Sequence, residues 1–137
     1  MPLTIEQRAR ARLVTSADAQ PAVLVTLRYD GADPLAVHVT FPPEVTLDGR
    51  PATWTFARDL LEAGLRAPSG EGDVHVWPCG RAQTILEFHS PDGVALVQMD
   101  TTLLRRFLLR SYAMTAPGDE SAALDLDRGL RALMREA

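Results

Sequence analysis

The sequence predicts an α+β fold built on antiparallel sheet. Three observations carry that expectation. Several short segments alternate apolar and polar residues between Gly, Pro and Asp punctuation, one strongly helical pattern interrupts them mid-chain, and further helical patterns follow the last strand. Strands, a helix, strands, then helices is an order that favours antiparallel pairing over a βαβ parallel design.

Thr4 to Val14 alternates Ile5, Ala9, Ala11 and Leu13 with Glu6, Arg8, Arg10 and Arg12, which predicts a half-buried strand. Its good helix formers make a helix the competing reading. Ala22 to Tyr29 and Leu35 to Phe41 place Val23, Val25, Leu27, Tyr29 and then Leu35, Val37, Val39, Phe41 on one face each, the pattern of a hairpin. The connection Asp30-Gly31-Ala32-Asp33-Pro34 is turn chemistry: Gly tolerates positive φ, Asp carboxylates accept nearby N–H groups, and Pro fixes its own φ. Pro42-Pro43 and Asp48-Gly49-Arg50-Pro51 frame an unassigned Val45 to Leu47, followed by a strand at Ala52 to Phe56.

Ala57, Leu60, Leu61, Gly64 and Leu65 recur at helical spacing, with Arg58, Glu62 and Arg66 four apart as a solvated ion-pair face. Pro68 ends that helix and Ser69-Gly70-Glu71-Gly72 reads as a loop. Asp73 to Pro78, Thr84 to His89 and Val94 to Met99 predict a three-strand meander, its last turn at Pro91-Asp92-Gly93. Asp100 is placed to cap a second helix that buries Leu103, Leu104, Phe107, Leu108 and Ser111 and leaves Arg105, Arg106 and Arg110 outside. Thr115 to Ala122 reads as a polar loop. A short terminal helix from about Asp125 would bury Leu126, Leu130, Leu133 and Met134.

Size and charge narrow the functional classes. The 137 residues suit one domain spanning 1–137, and 46% hydrophobic with 23% charged residues is ordinary globular composition. A net charge of −4 argues against a protein devoted to wrapping a polyanionic backbone. All 14 basic residues are arginine, a bias that tracks GC-rich codons. Cys79 is the single cysteine, so neither an internal disulfide nor a multi-cysteine metal site is expected. Met1 to Gln20 holds no apolar run and nothing approaches a membrane span, so the expectation is a cytoplasmic chain without membrane insertion.

Candidate chemistry is sparse. Asp73, His75 and Trp77 share a strand face that leads to Cys79, but no supporting base or oxyanion motif accompanies them. His38, His75 and His89 lack paired zinc-ligand spacing and are expected to be partly solvated. Gly70-Glu71-Gly72-Asp73 is no phosphate loop, and Asp30, Asp33, Asp59 and Glu62 read as surface carboxylates. Trp54, Phe56 and Trp77 fit a core better than stacking platforms for bases. No catalytic, metal-binding or cofactor-binding residue is therefore expected. Arg8, Arg10 and Arg12 form one basic stripe, and Arg105, Arg106 and Arg110 another; the second is the candidate partner-contact set.

Three motifs in order, Leu27-Arg28-Tyr29-Asp30-Gly31-Ala32-Asp33-Pro34, Trp54-Thr55-Phe56-Ala57-Arg58-Asp59-Leu60-Leu61 and Gly72-Asp73-Val74-His75-Val76-Trp77-Pro78, resemble the SsgA-like sporulation and cell division proteins of actinomycetes. The resemblance implies a Whirly-like fold of two antiparallel sheets, a helix after each strand set and a short C-terminal helix. Ala22 to Leu65 and Asp73 to Tyr112 would be its two strand-helix halves. It also implies a trimer and a non-enzymatic adaptor at division septa that helps position or recruit FtsZ, directly or through another SsgA-like protein. The alternative, single-stranded nucleic-acid binding, follows from the Whirly-like expectation and is weakened by the acidic charge balance.

Overall fold

The structure is a computed structural model that describes residues 3–14, 21–124 and 133. Its strands are β1 (Thr4–Val14), β2 (Ala22–Asp30), β3 (Ala36–Phe41), β4 (Ala52–Ala57), β5 (Ser69–Glu71), β6 (Val74–Cys79), β7 (Gln83–Ser90) and β8 (Gly93–Asp100). Helix α1 (Arg58–Gly64) lies between β4 and β5, and α2 (Thr101–Met114) follows β8. All eight strands belong to one antiparallel sheet in the order β4-β3-β2-β1-β8-β7-β6-β5.

That order corrects the two-sheet, Whirly-like expectation, and β1 is the physical reason. Its 11 residues are enough to pair with β2 from Thr4 to Arg12 and, at the far end, with β8 from Arg12 to Val14. Arg12 has a partner on both sides, so two runs of four strands are stitched edge to edge. Apolar alternation shows which face a strand buries; it does not show which distant strand lies alongside.

The sheet is curled. β4 and β7 are five strand steps apart in that order, which on a flat sheet is roughly 24 Å at ~4.8 Å per step. Yet the rings of Trp54 on β4 and Phe88 on β7 lie 5.1 Å apart, and Phe41 and Phe56 meet the same Phe88 ring at 5.5 and 6.3 Å. The concave face collects Ile5, Val25, Leu27, Val39, Val76, Leu86, Val97 and Met99 into one core. Helix α2 packs against β1 and β8 and fills the hollow with Leu104, Phe107 and Leu108. Ala9 and Ala11 on β1 are buried small residues that leave room for it.

Several local expectations hold. Thr4–Val14 is a strand, the β6-β7-β8 meander forms with Ser90 opposite Gly93 at its last turn, and Asp30 accepts the Ala32 N–H at 3.0 Å. Others change. Ser69–Glu71 is an edge strand and not a loop, because Ser69, Gly70 and Glu71 pair with Val76, His75 and Val74. Leu35 precedes β3 and is exposed. Pro43–Val45 forms a 3-10 turn, where Pro42-Pro43 presets φ. Asp100 occupies the N-cap position of α2 but makes no capping bond; it accepts from the Gln83 amide at 3.4 Å. Within the expected loop Thr115 to Ala122, residues 120–124 are already helical. The terminal helix from Asp125 lies outside the described residues, apart from helical Leu133, which is exposed.

Helix α1 approaches β6 so closely that a Cβ at Gly64 would sit 2.3 Å from Val76 Cβ. Replacing a helical glycine with alanine ordinarily stabilises by up to ~1 kcal/mol. Here overpacking reverses the sign, and Gly64→Ala is expected to destabilise by roughly 1–3 kcal/mol. Urea denaturation of Gly64→Ala beside wild type checks this: a midpoint for the variant at or above that of wild type would refute the overpacking.

Candidate functional site

The first residue of α1 is a buried cation. Arg58 is 1% exposed, and its guanidinium reaches across to the end of α2. Nη1 donates to the Ser111 carbonyl at 3.2 Å, the Ser111 hydroxyl at 3.3 Å and the Thr115 carbonyl at 2.8 Å. Nη2 donates to Glu120 Oε1 at 2.6 Å. The ring centroids of Tyr29 and Tyr112 lie 4.9 and 4.8 Å from the guanidinium carbon. The last turn of α2 contains no basic residue of its own, so Arg58 supplies the positive charge that a helix C-terminus attracts.

Glu120 is the matching anion. Its hydrogen bond from Arg58 is the largest cause holding its carboxyl below the ordinary carboxylate value, and Gly118 N–H donates to its other oxygen at 2.8 Å. Burial raises Tyr29, whose hydroxyl donates to the Pro34 carbonyl at 2.8 Å. Burial first, and then the Glu62 carboxylate, push Tyr112 up to about 12, so its phenol stays protonated. The Tyr112 hydroxyl makes no hydrogen bond among the described residues. Arg58 was expected on a solvated ion-pair face with Glu62; that expectation is wrong for Arg58, whereas the exposed Glu62–Arg66 pair forms at 3.6 Å.

The outward side of α2 carries the basic set read from the sequence. Arg105, Arg106 and Arg110 are all exposed, and Arg110 donates to Gln7 on β1 at 3.3 Å. Between them lies Leu109, 60% exposed, an apolar residue that the arginine pattern did not single out. Arg8, Arg10 and Arg12 do line the convex face of β1. Across the same face, cross-strand register sets Arg12 opposite Gln98, Gln98 opposite Ile85 and Ile85 opposite Trp77. Trp77 is therefore half-buried against the convex side and stands apart from the core that takes Trp54 and Phe56.

The alternative chemistry does not assemble. His75 and Cys79 are four residues apart on one strand, about 13 Å at ~3.3 Å per residue. The His75 ring instead meets the His89 ring at 5.3 Å, and His89 approaches Glu87 at 3.4 Å. His38 is buried, not partly solvated. It shares a 2.8 Å hydrogen bond with Thr55, and burial, then Arg28, lower its pKa, so its 3.7 Å approach to Asp33 is no strong ion pair at neutral pH. Among the described residues no group of His, Cys, Asp and Glu is placed to hold a metal ion. No helix among them is long and apolar enough to cross a membrane.

Residues 23–120 match the family model described as Streptomyces sporulation and cell division protein, SsgA. The chain belongs to the SsgA family. It is 42% identical over 136 residues to the sporulation-specific cell division protein SsgB of Salinispora tropica, covering 97% of this chain and 94% of that protein. It is 40% identical to the Streptomyces coelicolor protein of the same name, end to end in both. A crystal structure of an SsgA-like sporulation-specific cell division protein from Thermobifida fusca superposes with a TM-score of 0.81 at 30% identity, covering 96% and 95% of the two chains. The chain is also similar to a solved structure from work on SsgB mutations that correlate to longitudinal cell division during sporulation of Streptomyces coelicolor: TM-score 0.80, 38% identity, 90% of this chain and 97% of that one. This SsgA-family chain thus shares its curled sheet with solved relatives.

Losing one partner of a buried, hydrogen-bonded pair costs about 3–5 kcal/mol. Arg58→Met is expected to lose that much, and Arg58→Lys to recover little, since an ammonium cannot reproduce the planar fork. A double-mutant cycle with Glu120→Gln, read by denaturant unfolding, should show strong non-additivity. The pH dependence has a definite sign. The folded Glu120 carboxyl titrates below its unfolded value near 4.5, so its stabilisation is complete above that value and is lost as pH falls through the folded pKa. The stability gap between wild type and Glu120→Gln should therefore narrow over that acidic window, and a gap constant with pH would refute the assignment.

Proposed function

We propose that this SsgA-family chain is a non-enzymatic adaptor in sporulation septation, helping to position or recruit FtsZ at septum sites, directly or through another SsgA-like protein. The observation that carries the reading is the outer face of α2. Exposed Arg105, Arg106 and Leu109 project from a helix whose inner side is packed in the core and whose end is held by Arg58. An exposed apolar residue among cations, on a rigid element, suits protein recognition: the apolar group contributes burial and the charges give orientation.

The relatives are sporulation-specific cell division proteins by name, and an FtsZ polymer would offer an adaptor repeated sites. Assembly of the chain into a trimer would convert several weak contacts into one tight one, since tethering raises avidity by roughly a hundredfold or more over single-site affinity. The acidic balance, −4 overall, makes a protein partner a better fit than a nucleic-acid backbone.

Time-lapse imaging of tagged chain and tagged FtsZ, in the sporulating host and in its deletion strain, tests the reading. The chain is expected to reach future septa before FtsZ, and FtsZ rings are expected to fail without it. Rings that form on time in the deletion strain would refute recruitment. An Arg105→Glu/Arg106→Glu variant should keep wild-type unfolding, because both side chains are exposed, yet lose most of the rescue.

A further inference from the structure

Beside the exposed α2 face, the two helices enclose a groove of about 200 Å³. Its floor is apolar, from Leu65 on the α1 side and Leu108, Leu109 and Tyr112 on α2. Arg66 and Arg105 stand at its lips. Glu62 also lines it and pairs with Arg66 at 3.6 Å, whereas Arg105 makes no ion pair among the described residues. The local balance is thus two cations to one anion around an apolar floor, in a chain whose net charge is negative. The volume is below the ~300–1,000 Å³ usual for small-molecule and cofactor pockets, and suits one or two aliphatic side chains.

We propose that the α1–α2 groove is the docking site for a short acidic, leucine-bearing segment of a partner protein. The proposal rests on the adaptor reading and specifies the chemistry that its α2 surface recognises. An aliphatic anchor from the partner would cover Leu109 and Leu65, and carboxylates on either side would meet Arg105 and Arg66. Planar guanidinium groups suit that task because they bind carboxylates through two parallel N–H bonds. The groove wall is preorganised. Tyr112 lines it while also stacking against buried Arg58 at 4.8 Å, so less ordering cost opposes docking. A second apolar groove, about 330 Å³ at the mouth of the curled sheet, is lined by Phe41, Trp54 and Leu47 with Asp48 and Asp92, and so presents the opposite charge.

The test uses the full isotope-labelled chain, residue-resolved amide shifts, and two short synthetic peptides that share leucines at helical spacing. One peptide carries Glu and Asp at the remaining positions and the other carries Lys. The acidic peptide is expected to shift the amides around Leu65, Arg105, Leu109 and Tyr112, to bind more weakly as salt is added, and to lose roughly tenfold in affinity with Arg105→Glu or Leu109→Asp. Both positions are exposed, so the variants should unfold as wild type does. Equal binding of the two peptides, shifts centred on Trp54 and Leu47, or tighter binding of a single-stranded oligonucleotide to the same residues would each overturn the proposal. Co-sedimentation with FtsZ polymers separates it from the adaptor reading. If FtsZ carries down wild type and both variants equally, FtsZ binding stands, but the groove assignment fails and the Arg105–Leu109 face is not the contact. If FtsZ carries down none while the acidic peptide still fills the groove, the groove stands and FtsZ is not its occupant.

Discussion

The constraint on which this fold depends is the burial of the Arg58 guanidinium. An isolated charge in a protein interior costs several kcal/mol after relaxation, and it persists only where hydrogen bonds and an opposite charge compensate. Arg58 obtains two backbone carbonyls, a hydroxyl, a carboxylate and two aromatic faces. Because those partners come from β2, α2 and residues 115–120, one side chain fixes the position of each against the start of α1. Its Nε is buried with no hydrogen-bond partner among the described residues. The network is therefore better understood as specifying one arrangement of these elements than as a large net source of stability.

The sheet supplies the frame that makes such a cage possible. Joining the two runs of strands through β1 gives a single surface wide enough to curl until β4 and β7 share an aromatic contact at Phe88. Curling creates a hollow, and a hollow lined with Val, Leu and Phe is unstable unless filled. Helix α2 fills it with Leu104 and Phe107, both fully buried. Once α2 is committed to the hollow, its outward residues cannot also be core. The exposed face of α2 is thus a geometric consequence of the closure, and Arg105, Arg106 and Leu109 occupy positions that packing leaves free.

The sequence makes the local parts of this arrangement visible and hides the non-local ones. Alternation in Thr4–Val14 and in β2 reports burial directly, because strand periodicity is a local property. The outward arginines of α2 are legible for the same reason, by helical phase. Arg58 is misleading: Glu62 four residues later imitates a surface pair, whereas the true partner is Glu120, 62 positions away. The pairing of β1 with β8, the short β5 and the convex placement of Trp77 also depend on contacts between distant segments. Leu109 was obscured by its leucine-rich surroundings, where inner and outer leucines differ only by their angle around the helix. The expected two-sheet architecture failed at one of these non-local contacts, the second edge of β1.

Tyr112 joins the structural cage to the proposed recognition groove, and that shared residue sets how the two influence one another. One face of its ring holds Arg58, and the residue also forms the groove wall. A ligand in the groove that requires this ring orientation binds only the state in which the cage is formed. By linkage, occupancy then stabilises the cage to the same extent that the cage favours occupancy. The coupling passes through one packed side chain, with no rearrangement of the sheet. The cage itself lies beneath the surface, where Arg58 and Glu120 are shielded from salt. The groove's lip charges lie in solvent, where screening acts strongly. Recognition can therefore respond to ionic conditions while the scaffold that presents it does not, a separation that follows from placing one arginine inside the core and the others on its rim.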